Sequence, residues 1–419
     1  MHVPETLEGG APGPDRTAWA TVLLAIAVGV LGAAQLGKVH IGLPSIRSSF
    51  SLGLFSASWI LSALNVVGLF AATPAGTLCA RMGNRRAVIA GLATIAAASA
   101  SGGFSPGLAW LLGTRLVEGV GFVMIVVAAP SLIVEVTSGK DLRIVLAGWS
   151  AYMPAGIALA AALAPLVLAH HTWRAVWEID AAVLLALGAL FLFVPGESAA
   201  MRGRPARASL GKEFHTVVTA RGPLILALIF GMFTLQYLSI MGFLPTLLME
   251  RFHLSGEETG LLVSIATASN ILGNLAAGVL LQRGASRGGM IAWTSFFMIA
   301  MTVAMFSAPL PLGAFYLCAL AFSCVGGLIP SSVMGAAPYF SPAPSMIGAT
   351  NGLLVQGSNL GIVLGPPMVS MIATRWGWNF VPVVTGLAAL LAAGMAWRLQ
   401  PSRGEEAPVG VGGGTEEVR

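Results

Sequence analysis

From Gly288 to Thr374 the sequence contains no Asp, Glu, Lys, Arg or His. A soluble domain carries charge on about a quarter of its residues. This chain of 419 residues carries it on 9%, against 56% hydrophobic residues, and its mean hydropathy is +0.84. So few charges cannot cover a water-facing surface, and lipid must be the main solvent. A membrane helix needs about 20 apolar residues. The uncharged stretch has room for three, broken only by Pro and Gly signals at Pro309/Pro311 and Ser341-Pro342-Ala343-Pro344.

Twelve such segments are predicted along the chain, at 18–43, 55–79, 87–105, 108–134, 144–169, 174–195, 222–249, 257–281, 289–308, 311–336, 346–373 and 378–398. The basic residues sort with this parse. Sixteen of the 22 fall on the side that also holds both termini, among them Arg81, Arg85, Arg86, Arg202, Arg204 and Arg207. Four fall opposite, Arg47, Arg174, Arg251 and Arg375, and Lys38 and Arg115 lie inside helices. That asymmetry predicts cytoplasmic termini. Tryptophans such as Trp19, Trp173, Trp376 and Trp397 mark helix ends, as an aromatic belt does. The segment 1–17 lacks a basic secretory leader and reads as a cytoplasmic tail. Cys79, Cys318 and Cys324 sit in apolar stretches without metal-ligand spacing, so neither a disulfide framework nor a metal site is expected.

The two halves repeat. Gln35 precedes Pro44 by the same interval as Gln236 precedes Pro245, and Leu43-Pro44-Ser45 answers Leu244-Pro245-Thr246. Gly76 and Arg81 answer Gly278 and Arg283; Pro165 with Thr172-Trp173-Arg174 answers Pro367 with Thr374-Arg375-Trp376. Three matches in order, at a nearly constant offset, mean an internal duplication. The expected fold is an all-α integral membrane protein of twelve transmembrane helices, built as two parallel-repeat six-helix bundles with a substrate site at their interface. Its expected parts are a tail at 1–17, a first bundle at 18–195, a basic cytoplasmic linker at 196–221, a second bundle at 222–398, and a tail at 399–419.

After the second segment the sequence reads Gly76-Thr77-Leu78-Cys79-Ala80-Arg81-Met82-Gly83-Asn84-Arg85-Arg86. This resembles the loop signature of the major facilitator superfamily (MFS), G-x-x-x-D-R-x-G-R-R, with Ala80 where the family has Asp. The resemblance implies a gating loop made of Gly76, Arg81, Gly83, Arg85 and Arg86. Arg115-Leu116-Val117-Glu118-Gly119-Val120-Gly121 resembles the family's R-x-x-Q-G-x-G motif, with Glu for Gln. The drug-antiporter pattern G-P-x-x-G-G is absent. Gly42-Leu43-Pro44-Ser45-Ile46 and Met153-Pro154-Ala155-Gly156 are similar to the cyanate and nitroimidazole permease-like branch.

Ionisable groups at mid-membrane cost about 2.5–3.5 kcal/mol each and are functional by default. Arg115 and Glu118 share a face of one helix at i, i+3. They read either as a cavity cation tuning a proton acceptor, released when substrate captures Arg115, or as a static ion pair. Lys38 shares a face with Gly32, Gln35 and Gly42, which leave room for a ligand, or else it snorkels to the interface. His40 reads as interfacial, and Glu178 and Asp180 as solvated anchors near the outer surface. The second half offers only neutral groups within its helices. Gln236 and Gln356 are its cavity candidates, Asn270 and Asn274 reading as interhelical hydrogen-bonders. Tyr152 is a candidate aromatic wall.

The expected function is secondary active transport of a small polar or anionic solute by alternating access, coupled to protons through Glu118, in a bacterial inner membrane. Gln35, Lys38, Arg115, Tyr152, Gln236 and Gln356 are expected to line the cavity. The expected partners are the solute, protons and the lipid bilayer, with no nucleic acid, and the expected state is a monomer. No Walker A motif occurs, so ATP is not the drive, and no cofactor, metal ligand or catalytic residue is expected. A proton-driven multidrug or metabolite exporter of the same fold is the first alternative. An integral-membrane lipid-modifying enzyme is the alternative of another class.

Overall fold

The computed structural model describes residues 16–194, 210–307, 309–343 and 346–399. Among them the regular structure is entirely helical. The first half comprises α1 (Trp19–Phe50), α2 (Leu54–Met82), α3 (Asn84–Gly103), α4 (Leu108–Val136), α5 (Leu142–Ser150), α6 (Tyr152–Leu168) and α7 (Trp173–Phe191). A short helix α8 (Leu210–Thr219) follows. The second half comprises α9 (Arg221–Phe252), α10 (Gly256–Gln282), α11 (Arg287–Ser307), α12 (Leu312–Gly326), α13 (Leu328–Met334), α14 (Ala337–Phe340), α15 (Ile347–Trp376) and α16 (Val381–Trp397). Most of the expected linker and both tails lie outside the described residues; within the expected linker, α8 is helical.

Among the described residues, ten helices are long and apolar enough to cross a membrane, and counting the bent pair α5–α6 as one span gives eleven. The twelfth is α7. Its 19 residues suit a span, but it carries Arg174, Glu178 and Asp180, so by composition it does not look like one. α12 to α14 together make one broken crossing.

α1 and α9 run as 32-residue helices straight through Pro44 and Pro245, where the sequence parse ended the first span and set the second to close a few residues on. An interior proline removes one N–H bond, yet leaving the helix inside lipid would strand many more. The duplication extends into backbone detail. Both helices close on left-handed residues, Ser51 at φ 50 and His253 at φ 56. Both loops of the G-x-x-x-x-R type turn on a left-handed glycine, Gly83 at φ 86 and Gly284 at φ 88.

Helix contacts repeat with the sequence. α1 packs on α6 as α9 packs on α15; α3 packs on α7 as α11 packs on α16; α2 packs on α4 as α10 packs on α12 and α13. The halves meet through α2 with α15 and through α6 with α10, pairs exchanged by the repeat's two-fold, and through α1 with α9. Their seam is closed on the face opposite the termini. There Arg47 and Glu250 form a 2.6 Å ion pair between the last turns of α1 and α9. Ser58 meets Ser370 at 3.0 Å, and Ser62 donates to the Ile362 carbonyl at 3.1 Å.

A Cβ at φ 86 clashes with the following carbonyl, which costs about 1–2 kcal/mol. Gly83→Val is therefore expected to lower the thermal midpoint of the detergent-purified protein. Gly53→Ala, at φ −66 with open space around its Cβ, is expected to leave it unchanged.

Candidate functional site

Four ionisable side chains converge inside the first bundle. Lys38 of α1 places its ammonium 3.0 Å from Glu118 Oε1, 2.9 Å from Asp180 Oδ2 and 2.8 Å from Ser99 Oγ. An ammonium has three N–H donors, so all three are used. Arg115 pairs with the other Glu118 oxygen, Oε2. Gln35 Nε2 donates to Asp180 Oδ1 at 2.9 Å, Ser99 Oγ donates to Asp180 Oδ2 at 2.9 Å, and the Lys38 ammonium stands 4.7 Å over the Trp177 ring. Helical periodicity assembles this set. Gln35 and Lys38, Arg115 and Glu118, and Trp177 and Asp180 are each i, i+3 pairs on one face.

The cluster is dry and electrically balanced. Side-chain exposure is 3% for Lys38, 0% for Glu118 and Arg115, and 13% for Asp180. Two cations face two carboxylates, which is how charge is tolerated away from water. The cluster's hydrogen bonding is incomplete: Arg115 Nε and Nη2, Gln35 Oε1 and Trp177 Nε1 have no partner.

Between the halves lies a cavity of about 300 Å³, reaching from mid-membrane toward the terminal face. Its wall includes Asn65 of α2, Phe122 of α4, Trp149 and Tyr152 at the α5–α6 bend, Phe233 and Tyr237 of α9, Asn270 and Asn274 of α10, and Asn359 of α15. Trp149 stacks on Tyr152 with ring centroids 4.7 Å apart, and Phe233 stacks on Tyr237 at 5.2 Å. No ionisable Asp, Glu, Lys, Arg or His side chain is among the described lining residues.

The sequence candidates therefore divide. Tyr152 is on the cavity wall. Gln35, Lys38, Arg115 and Glu118 come together in the buried cluster instead. The space expected beside Lys38 is filled: Phe122 packs on Gly32, where a Cβ would stand 3.3 Å from the ring, and Trp177 packs on Gly42 at 3.5 Å. Gln236 is fully buried with both amide atoms unpartnered, and Gln356 is half-buried; neither lines the cavity. Arg85 donates to the Leu192 carbonyl at 2.7 Å, tying the candidate gating loop to the end of α7, while Arg86 is exposed and Gly83 makes the turn. The side chains of Gly76 and Arg81 lie outside the described residues. His40 is buried at the α1–α9 seam beside Gly242, not at an interface with water.

Of the two expected solvated anchors, Glu178 is exposed, but Asp180 turns inward and pairs with Lys38. The signal was one of depth. Asp180 lies seven residues past the start of α7 at Trp173, and Arg115 seven past the start of α4 at Leu108. At 1.5 Å per residue both sit about 10 Å below the same face. With Asp180 counted, Lys38 and Arg115 are matched by two carboxylates, so the cluster offers no surplus cation for the expected anionic solute. Asn65, an isolated amide in an apolar run of α2, is the second residue the sequence reading passed over.

Lys38→Met strips the shared cation from two carboxylates, and breaking a buried pair this way costs about 3–5 kcal/mol. Adding Asp180→Asn is expected to recover much of that loss, because Glu118 keeps Arg115. Equilibrium unfolding of both variants in mixed micelles checks the sign.

Residues 17–355 match the sequence profile of the Major Facilitator Superfamily. Relatives include the multidrug efflux pump LfrA of Mycolicibacterium smegmatis, 31% identical over 42% of this chain and 36% of its own length. The tetracenomycin C resistance and export protein of Streptomyces glaucescens is 27% identical over 94% of this chain and 69% of its own. The cyanate transport protein CynX of Escherichia coli is 28% identical over 64% of this chain and 66% of its own. This chain thus spans only about a third of LfrA. Among solved structures, the D-xylose-proton symporter superposes with a TM-score of 0.74 at 14% identity, covering 91% of this chain and 98% of that one. The profile match, the repeated six-helix halves and the cavity between them agree: this chain belongs to the Major Facilitator Superfamily, whose members are multi-pass membrane transporters of small-molecule solutes.

Proposed function

We propose that this chain is a proton-coupled secondary transporter that moves a small organic solute with an apolar or aromatic body by alternating access. The observation that carries the reading is the pairing of an uncharged, aromatic-walled cavity between the halves with a buried four-charge cluster inside the first half. The closed seam on one face and the cavity reaching toward the other support alternating access. The distribution of basic residues supports a bacterial inner membrane with cytoplasmic termini.

Coupling follows from charge balance. A proton on Glu118 or Asp180 leaves the cluster with a net positive charge in a dry site, which is costly. The cheapest response is for Lys38 to lose one carboxylate and for α1 to shift against α4 and α7. Asp180 is the more exposed of the two acids and so the nearer entry point for the proton. Glu118 bridges both cations and holds the balance.

The test is accumulation of candidate solutes in proteoliposomes under an imposed pH gradient. Glu118→Gln and Asp180→Asn are expected to lose pH-driven accumulation while keeping solute counterflow. Full pH-driven transport by Glu118→Gln, alongside its loss in Arg115→Ala, would falsify the coupling role.

Outward transport is the second reading. The aromatic wall favours it, as do the relatives whose names specify efflux and export. Everted vesicles loaded by a proton gradient should take up a lipophilic fluorescent dye if the solute moves outward. Uptake confined to right-side-out vesicles would assign import.

A further inference from the structure

Resting on the transporter reading above, we infer that the Asn65 carboxamide is the anchor by which the cavity holds its solute. The solute is an uncharged planar aromatic compound bearing an adjacent hydrogen-bond donor and acceptor, as an amide, a lactam or an undissociated carboxylic acid does.

Most polar side chains of the wall are already engaged with one another or with backbone. Tyr237 and Ser323 share a hydrogen bond of 3.0 Å, and Asn270 donates to the Ser323 carbonyl at 2.9 Å. Asn274 donates to Asn270 Oδ1 at 2.8 Å and accepts from Ser331 at 2.9 Å, and Asn359 donates to the Val355 carbonyl at 2.9 Å. These bonds brace the wall and orient its rings. Asn65 differs. It is 1% exposed, it lines the cavity, and both Oδ1 and Nδ2 lack any partner. No other described lining residue has a buried side-chain polar atom in that condition.

A carboxamide offers one acceptor oxygen and one donor amine side by side. A group that satisfies both must present a donor and an acceptor in the same plane. The walls add the rest of the description. Trp149 and Tyr152 form one stacked pair from the first half, and Phe233 and Tyr237 form another from the second. Stacked aromatic walls favour a flat ring. The lack of a charged lining group favours a neutral one, since a buried charge needs a partner.

Position ties the anchor to transport. Ser58, Ser62 and Asn65 lie along one face of α2 at helical spacing. Ser58 and Ser62 seal the seam against α15. One turn further on, Gly68 packs on the Asn359 side chain, whose nearest atom a Cβ would approach to 2.6 Å. A solute held at Asn65 therefore sits between two levels at which α2 meets α15, one at Ser58 and Ser62 and one at Gly68.

The experiment uses two matched probes on the full purified chain in detergent, 2-naphthamide (donor and acceptor) and methyl 2-naphthoate (acceptor only), titrated by calorimetry. The wild type is expected to bind the amide at least tenfold tighter than the ester. Asn65→Leu keeps the side chain's bulk and Asn65→Ala leaves space; both are expected to bring the amide down to the ester's affinity. Asn65→Leu should not lower the thermal midpoint, because it removes an unpartnered buried group. The inference is overturned if the wild type shows no preference, if it binds neither probe, or if both variants keep the preference. It is equally overturned if both lose the two probes alike, as a residue that only pairs across the seam in another state would. Proton coupling stands or falls separately: a selective amide site without pH-driven accumulation removes the coupling and leaves the anchor.

Discussion

The Lys38 ammonium is the fixed point of the first bundle. Its three donors go to groups on three different helices, α4, α7 and α3, so with α1 it fastens four of the six crossings. In lipid there is no water to take over a broken contact, so none of the four can slide without stranding a charge. The twelfth crossing exists in this form because of it. Asp180, one of the charges that make α7 look unlike a membrane span, is the one buried against Lys38.

The second bundle repeats the frame without the charges. Ser239 stands where the repeat places Lys38, and its hydroxyl turns back to the Leu235 carbonyl. Gln236, counterpart of Gln35, finds no acid to bind and keeps both amide atoms unpartnered. A neutral bundle of this kind rests on close helix packing and weak hydrogen bonds, each around 0.6 kcal/mol. Glycines carry that close packing where α9 meets α15, with Gly231, Gly357 and Gly361 facing backbone of the opposite helix. On the proposed mechanism protonation acts on the first half, while both halves contribute wall, rings and seam.

How much of this could be read from the sequence depended on the period of each signal. Length, hydropathy and the placement of basic residues gave the crossings to within a few residues, because lipid imposes them directly. The duplication was legible at Gln35/Gln236 and Gly76/Gly278, and the structure extends it to the left-handed pairs Ser51/His253 and Gly83/Gly284. The ends of α1 and α9 were harder, because Pro44 and Pro245 are helix breakers in water and tolerated in lipid. The site was legible by composition and not by partnership. Lys38, Arg115 and Glu118 stood out as charges, but one-dimensional spacing relates residues only within a helix. That Lys38 meets Asp180, and that neither meets the cavity, are facts of how α1, α3, α4 and α7 pack. Asn65 was hidden for the opposite reason: an uncharged amide among apolar neighbours carries little signal until its missing partner is seen.

The separation of cluster and cavity raises the question of how one can act on the other, and α4 supplies a physical link. Glu118 and Phe122 are i, i+4 and share a face of that helix. Glu118 binds Lys38 of α1, while Phe122 packs against Gly32 of the same α1 and forms part of the cavity wall. The α1–α4 contact is thus held at two levels, one ionic and dry, the other aromatic and facing the solute. On the proposed mechanism, weakening the ionic level by protonation changes the spacing at which the aromatic level can pack. Tight packing does not deform smoothly, so the response is a switch between two arrangements. A solute pressing on the Phe122 wall biases the same α1–α4 spacing from the other side, and linkage then requires that solute binding alter proton affinity by an equal free energy.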